Sequence, residues 1–471
     1  MVPHALERHL ALVGFMGAGK STVGADVAER LGRPFVDLDA EIERRSGRSV
    51  QEHFAGGEAA FRAVEEAVAA DVLGGNEPAV VALGGGAVLS ERTRGLLRRH
   101  AHTVLLEVDA ATAWERARSS ERPLARSEEG FHELFAARAP VYDAVAAARA
   151  RDADEVVLRA GGVELGALES LELPGSGAAA LVSDAHVAGI WGAEAQLAVG
   201  ARLASTHELP RGEAAKTLAS VAVLWEELRL DRAGTLVALG GGCTTDAVGF
   251  AAATYLRGLA WVAVPTTLVG QVDAAIGGKT AIDLPDGKNL VGAFHWPVRT
   301  LIDAALLETL AEEQWRDGLA EVVKTGLLAG RPLWELPRPQ LVARCAAFKT
   351  AVCLRDPYDR GDRNQLNLGH TFAHALEAAA GFELPHGRAV ALGLLAALRL
   401  SGLDTTVVEE QLRPQRVRAD RERAWAALRR DKKAKDGAVR LVLLDAPGKP
   451  RLGVELPEAD VRAALDELIE G

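Results

Sequence analysis

GFMGAGKS at residues 14–21 fits the pattern G-x-x-x-x-G-K-[ST], a glycine-rich loop whose backbone amides cradle phosphates. LALVGF before it (residues 10–15) reads as a strand, and STVGADVAERLG after it (residues 21–32) as a helix. In that setting Gly14, Gly17, Gly19, Lys20, Ser21 and Thr22 bind the nucleotide, with Lys20 reaching the β- and γ-phosphates and Ser21 holding Mg²⁺. Working outward, PFVDLD (34–39), VVALGGG (80–86) and TVLLEV (103–108) read as further strands between amphipathic stretches. This alternation predicts an α/β domain, a parallel sheet with helices on both faces. FHELFAARAPVYDAVAAARA (131–150) reads as its closing helix and DEVVLRA (154–160) as a last strand.

The chain has 471 residues, enough for two to four domains, and is 48% hydrophobic with 25% charged residues. Its net charge of −11 argues against general nucleic-acid binding, which calls for a basic surface. Three scattered cysteines without C-x-x-C spacing suit a reducing compartment. The N-terminus runs straight into the phosphate loop rather than forming a signal peptide, and the longest apolar run, Ala389 to Leu398, falls short of a membrane span. A cytoplasmic protein with no membrane partner is the expectation.

The surroundings of the loop narrow its chemistry. DLD places Asp37 and Asp39 at a strand end; period two puts both on one side, one to organise the metal and one to take a hydroxyl proton. FRAVE supplies Arg62, LGGGAV the turn Gly84–Gly86, ERPLA Arg122 and ARAPVY Arg138. These spacings, over residues 8–160, resemble shikimate kinase. The resemblance implies that Arg62, Gly85, Gly86 and Arg138 bind shikimate, that Arg122 lies in a lid over ATP, and that Asp39 binds the substrate hydroxyl as the base. A guanidinium fork suits the shikimate carboxylate.

A second set of signals begins after a Gly- and Pro-containing stretch, residues 161–177, which reads as a linker. AAALVSD (178–184) and TLVALGGG (235–242) read as strands of another α/β region; from about Asp303 the text turns to long amphipathic helices. VRLVLLD (439–445) reads as one late strand. His370 and His374 lie i, i+4 on a predicted helix, His386 on a following loop and Glu321 on another helix. A catalytic zinc takes three protein ligands, and spacing alone leaves open which three.

RGEAAK, GGGCTTD, YLRG, VPTTLVGQVDAAIGGKTAID, GKNLVGAF, GLAEVVK, RNQLNLGHTFAHALE, LPHG and RRDKK, spread over residues 178–450, resemble 3-dehydroquinate synthase. The resemblance implies a divalent metal, zinc foremost or cobalt, on Glu321, His370 and His386, with His374 turned to substrate instead. It implies NAD contacts at Glu213, Lys216, Gly241, Gly242, Asp246, Thr266, Thr267 and Lys288. Substrate and phosphate contacts fall on Asp273, Lys279, Asn289, Lys324, Lys349, Arg363, Asn367 and His374, with Lys432 or Lys433 completing the phosphate site. Arg257 would reach across a homodimer interface. The implied reaction is redox-neutral overall: transient oxidation of a hydroxyl of 3-deoxy-D-arabino-heptulosonate 7-phosphate, loss of phosphate, return of hydride and aldol closure to 3-dehydroquinate.

GGGCTTD departs from the family's GGG-V-x-G-D, setting a threonine where glycine is usual. The expected organisation is therefore a kinase domain at 1–160, a linker, an NAD-binding α/β half at 178–302, and a mainly helical metal- and substrate-binding half at 303–471. The expected cofactors are ATP with Mg²⁺ in the first part, and NAD with the divalent metal in the second. Two alternatives keep the kinase and pair it with another sugar-phosphate cyclase or with a degenerate synthase-like module. Glu321 and His370 argue against the second of these.

Overall fold

The computed structural model describes residues 4–118, 127–285, 287–430 and 439–470. The chain divides between residues 162 and 163 into two compact units. In the first, strands β1 (His9–Val13), β2 (Phe35–Asp37), β3 (Val80–Ala82), β4 (Ala101–Leu106) and β5 (Ala148–Ala150) form one parallel sheet ordered β2-β3-β1-β4-β5. β1 is buried along its whole length, as a central parallel strand covered on both faces must be. Leu38, Ile42, Phe61, Leu97 and Phe131 fill one side of the sheet, each such side chain contributing about 2 kcal/mol of apolar burial. β1, β2 and β3 run in register (Leu10 to Val80, Phe35 to Val80). Their C-terminal ends therefore deliver the phosphate loop, Asp37 and the Gly84–Gly86 turn to one edge, where ligands of open α/β sheets bind.

Two local expectations are corrected. DEVVLRA is not a strand: Asp152 caps a helix, Ala153–Ala160, by accepting from Glu155 N, and Val156, Val157 and Ala160 are its buried side. The last strand is β5, inside the stretch read as helical. Asp37 and Asp39 do not share a strand face. β2 stops at Asp37, which caps the helix Leu38–Ser46 by accepting from the amides of Asp39 (3.1 Å) and Ala40 (3.3 Å).

In the second unit, strands β6 (Val163–Leu165), β7 (Ala179–Asp184), β8 (Leu203–Leu209), β9 (Thr235–Gly240), β10 (Ala260–Pro265) and β13 (Arg299–Ile302) form a parallel sheet ordered β6-β13-β10-β9-β7-β8. β11 (Lys279–Leu284) and β12 (Gly287–Phe294) form a separate antiparallel hairpin. The expected linker is folded into this unit. β6 pairs with β13 through Thr300–Val163, and Leu168 and Leu171 are buried. Arg202 donates to the carbonyls of Leu173, Pro174, Gly175 and Gly177, satisfying backbone that glycine and proline leave without regular partners.

Beyond β13 the unit is mainly helical. Helices Glu312–Ala329, His370–Ala379 and His386–Leu400 pack around Phe372, Leu376 and Leu394. His386 is thus the first residue of a helix rather than a loop residue. Gly387 lets that first turn press on the neighbouring helix, since a Cβ there would overlap the Asp317 backbone. The late strand is Leu441–Ala446, paired with Lys449–Val454. Among the described residues no helix is long and apolar enough to cross a membrane.

Candidate active sites

At the first unit's ligand edge, Gly17 takes φ 83°, and a Cβ there would overlap the Ala113 carbonyl, so the loop's path requires glycine. No side chain caps the helix Lys20–Leu31, which leaves its first-turn amides for an anion. Lys20 Nζ donates to the carbonyls of Gly14 (2.8 Å) and Phe15 (3.1 Å), curled over the loop it belongs to. Ser21 Oγ donates to Asp37 Oδ2 over 2.5 Å, so the hydroxyl that would ligate Mg²⁺ is oriented by the aspartate behind it. These donors fit a Mg²⁺-nucleotide.

Beside the loop, Arg62 donates to Glu65 Oε2 (2.6 Å) and Glu58 Oε1 (3.0 Å). Gly86 makes room for that guanidinium, which a Cβ would overlap. Arg138 is buried and reaches the Gly85 carbonyl (3.5 Å), which also accepts from Tyr142 Oη (2.5 Å). Burial raises the Glu65 carboxyl above its ordinary range against the pull of Arg62, and pushes the Tyr142 phenol up to about 12. Asp39 lies against Gly84, where a Cβ would stand 2.7 Å from its Oδ1. Asp39, Arg62, Arg138, Gly85 and Gly86 thus gather at one edge, with two cations to meet a carboxylate. Arg116 donates to the Gly17 carbonyl (3.3 Å). Arg122 lies outside the described residues.

The second unit holds a cavity of about 890 Å³. Gly241, Gly242, Asp246, Thr266, Thr267, Glu213, Lys216 and Lys288 line it, as do Asp273, Lys279, Asn289, Lys349, Arg363, His374 and His386. Its size and the uncapped N-terminus of the helix Gly242–Thr254 suit a dinucleotide phosphate. Lys216 donates to Asp246 Oδ2 (2.8 Å) and Asn289 Oδ1 (2.5 Å). Burial would lower its pKa, but Asp246, Asp283 and Glu213 hold it raised, so it stays cationic. Thr245, the unusual residue of GGGCTTD, is buried and donates to the Gly242 carbonyl (2.9 Å), facing its own helix rather than the cavity. Burial pushes the neighbouring Cys243 thiol up to about 12.

At the helical wall, one ligand atom each from Glu321, His370 and His386 lies within 4.8 Å of the others. His370 Nε2 is 3.5 Å and His386 Nε2 3.3 Å from Glu321 Oε1. Both carboxylate oxygens of Glu321 are buried; Lys324 ion-pairs with Oε2, but neither oxygen has a hydrogen bond of good geometry, and a divalent cation between Glu321 and the imidazoles would complete the set. Burial would raise the Glu321 carboxyl, but Lys324 and the two imidazoles hold it well below its usual range. Burial and the Lys324 charge lower the His370 imidazole, whereas burial would lower His386 too but Glu321 and Glu377 hold it raised to about 10, so a metal ion there would displace a proton. His374 is not in this triad; its ring stands 5.6 Å from His370 and it lines the cavity.

Lys324, fully buried, pairs with Glu321 and lies 3.7 Å from Asp273 Oδ1, while Lys349 reaches the same oxygen at 2.8 Å. Arg363 donates to the Gly277 carbonyl (2.8 Å) and Lys279 to Asp359 (2.5 Å). Of the expected substrate contacts, Lys324 and Asn367 are not in the cavity lining, the Asn367 amide donating to the Asn364 carbonyl (3.1 Å). Arg257, expected across a dimer interface, is exposed with φ 66°. Lys432 and Lys433 lie outside the described residues; Arg430 lines the cavity.

Four residues escaped the sequence reading. Glu65 was signalled by FRAVE, where i+3 spacing faces it to Arg62. Tyr142 ends ARAPVY. Asp184 ends β7, caps the next helix and lines the cavity, as the terminal carboxylate of AAALVSD could have suggested. Glu377, also in the lining, stands seven residues beyond His370 on the same helix face.

Three family profiles match the chain: shikimate kinase over residues 16–160, 3-dehydroquinate synthase N-terminal over 206–317 and its C-terminal part over 318–434. The chain is 33% identical over 419 residues to the bifunctional shikimate kinase/3-dehydroquinate synthase of Thermotoga maritima, covering 81% of this chain and 82% of that one. It is 38% identical over 311 residues to the 3-dehydroquinate synthase of Latilactobacillus sakei, covering 61% and 87%. A solved structure, 2-deoxy-scyllo-inosose synthase complexed with carbaglucose-6-phosphate, NAD⁺ and Co²⁺, matches with a TM-score of 0.59 at 26% identity over 65% of this chain and 96% of that one. A phosphate-loop kinase joined to an NAD- and metal-dependent cyclase is the class these sites define. The chain belongs to the bifunctional shikimate kinase/3-dehydroquinate synthase family.

Proposed function

We propose that the chain runs two reactions at the two sites just described, with the following division of labour. The first phosphorylates shikimate with ATP. Lys20 and the loop amides hold the phosphates, and Ser21, backed by Asp37, holds Mg²⁺, which neutralises the phosphate charge. Arg62 and Arg138 grip the substrate carboxylate, Asp39 takes the hydroxyl proton, and Arg122 acts from a lid that excludes water.

The second reaction converts 3-deoxy-D-arabino-heptulosonate 7-phosphate to 3-dehydroquinate and phosphate. Bound NAD supplies a reversible hydride acceptor and the divalent metal, zinc or cobalt, a Lewis acid for the reacting hydroxyl. Glu321, His370 and His386 hold the metal. Glu213, Lys216, Asp246, Thr266, Thr267 and Lys288 hold the dinucleotide against the Gly241–Gly242 turn. Lys279, Asn289, Lys349 and Arg363, with Lys432 or Lys433, bind the anionic substrate, while Asp273, Lys324, Asn367 and His374 orient its hydroxyls and protons.

The Glu321–His370–His386 triad, whose His386 lines a dinucleotide-sized cavity, carries this reading. The higher identity to a 3-dehydroquinate synthase than to an inosose synthase, and the kinase on the same chain, favour this substrate over those of other cyclases. The test is formation of 3-dehydroquinate from the heptulosonate phosphate with NAD and Zn²⁺; no product from protein that still phosphorylates shikimate would reject the second half. We further propose a homodimer through the synthase half, because Leu256, Leu284, Val291 and Phe294 are exposed near Arg257 and on the β11–β12 hairpin. A monomer in light scattering would reject that.

A further inference from the structure

The dinucleotide side and the metal side of the cavity are joined by side chains of alternating charge. Lys288 Nζ donates to Glu213 Oε1 over 2.9 Å and lies 3.8 Å from Glu377 Oε1. That same Glu377 oxygen is 3.4 Å from His386 Nδ1, the ring nitrogen opposite the one that faces Glu321. Glu377 is only 4% exposed, so its charge acts on few neighbours and with little screening.

An imidazole that offers Nε2 to a cation carries its proton on Nδ1, and the acceptor at Nδ1 fixes both tautomer and ring plane. For His370 that acceptor is the Leu368 carbonyl at 3.2 Å, a fixed neutral group. For His386 it is a carboxylate shared with a lysine that lines the cofactor cavity. The two histidines are therefore oriented by different means, and only one is connected to the dinucleotide side.

We propose that Glu377 is a positioning residue for His386 and that Lys288 makes its pull depend on the occupant of the dinucleotide pocket. The proposal rests on the reading of Glu321, His370 and His386 as metal ligands. NAD brings two phosphate charges into a cavity that Lys288 lines. A lysine drawn to that anion leaves the Glu377 charge to His386 alone, which makes the imidazole a stronger donor. Metal binding then tightens with NAD bound and, by linkage, NAD binding tightens equally with metal bound.

The test measures Co²⁺ affinity of the full chain by chelator competition, with and without NAD at saturating concentration for each variant, and records the visible Co²⁺ spectrum. Wild-type protein should bind Co²⁺ about fivefold tighter with NAD. Glu377→Gln, which keeps the shape and removes the charge, should weaken Co²⁺ binding about 10–100-fold and shift its spectrum while the melting temperature holds. Lys288→Met should bind Co²⁺ without NAD as tightly as wild type does with it, and show no further NAD effect. Glu377→Gln within twofold of wild type, or an undiminished NAD effect in Lys288→Met, overturns the proposal. Unchanged Co²⁺ affinity in His386→Ala would instead overturn the ligand assignment beneath it.

Discussion

Arg62 donates to Glu65 over 2.6 Å, and Glu65 is 2% exposed, so a buried carboxylate holds the guanidinium at the proposed shikimate site. Gly86 occupies the space in front, where a Cβ would overlap Arg62. Glu65→Gln should destabilise the kinase unit by about 1–3 kcal/mol, the cost of a damaged buried charged hydrogen bond. It should also raise the KM for shikimate about tenfold, the equivalent of 1.4 kcal/mol of lost binding. Steady-state kinetics with shikimate and ATP varied separately check this; the KM for ATP should stay within twofold.

Gly86→Ala presses on the same guanidinium without touching its carboxylate. The kinase KM for shikimate should rise by a similar factor, while cyclase activity on the same preparation is unchanged. An unaltered KM would remove Arg62 from the substrate site.

Asp356 is buried and accepts from the amides of Arg360 (2.8 Å), Gly361 (2.7 Å) and Arg363 (3.1 Å), tying down the turn that carries Arg363. Burial alone would raise its carboxyl, but those amides and the Arg363 charge hold it lowered. A lowered folded-state pKa gives stability that is present above the unfolded value, near 4, and is lost as pH falls through the folded one. Protection factors of the amides in residues 360–363, corrected for intrinsic exchange, should therefore fall below about pH 4, and Asp356→Asn should show low protection at every pH.

Thr245→Gly tests the departure within GGGCTTD. The Thr245 side chain bonds its own helix and does not line the cavity. Restoring glycine should leave the NAD dissociation constant within twofold, while stability falls by about 1 kcal/mol from the added backbone freedom. Tighter NAD binding in the variant would show that the threonine obstructs the cofactor.

A chelator selective for zinc, used with Mg²⁺ in excess, should abolish 3-dehydroquinate formation and leave shikimate phosphorylation intact. Loss of both would mean that the phosphate loop depends on the same ion.

The strongest local patterns were legible in the sequence, and the long-range partners were not. Strand–loop–helix chemistry around Lys20 announces itself because glycine and lysine must stand at fixed offsets, and β1 with the helix Lys20–Leu31 follows. Residues 161–177 looked like a linker because they are rich in glycine, with a proline and acidic residues, yet β6 finds its partner in β13, Val163 pairing with Thr300 far along the chain. DEVVLRA misled because β-branched residues favour strands, while the deciding signal, the Asp152 cap, stood one residue before the helix. The metal triad joins three helices, so spacing offered only the His370–His374 pair, which the fold separates between triad and cavity. Glu377 and Glu65 act through other side chains, and no motif requires them by name.

Two independent sites on one chain is the central claim, and a paired assay of two variants tests it most directly. Both activities would be measured on Lys20→Ala and on His386→Ala, each purified and folded. Lys20→Ala should lose shikimate phosphorylation and keep 3-dehydroquinate formation at the wild-type rate, with His386→Ala doing the reverse. Either substitution removing both activities from a folded protein would contradict it.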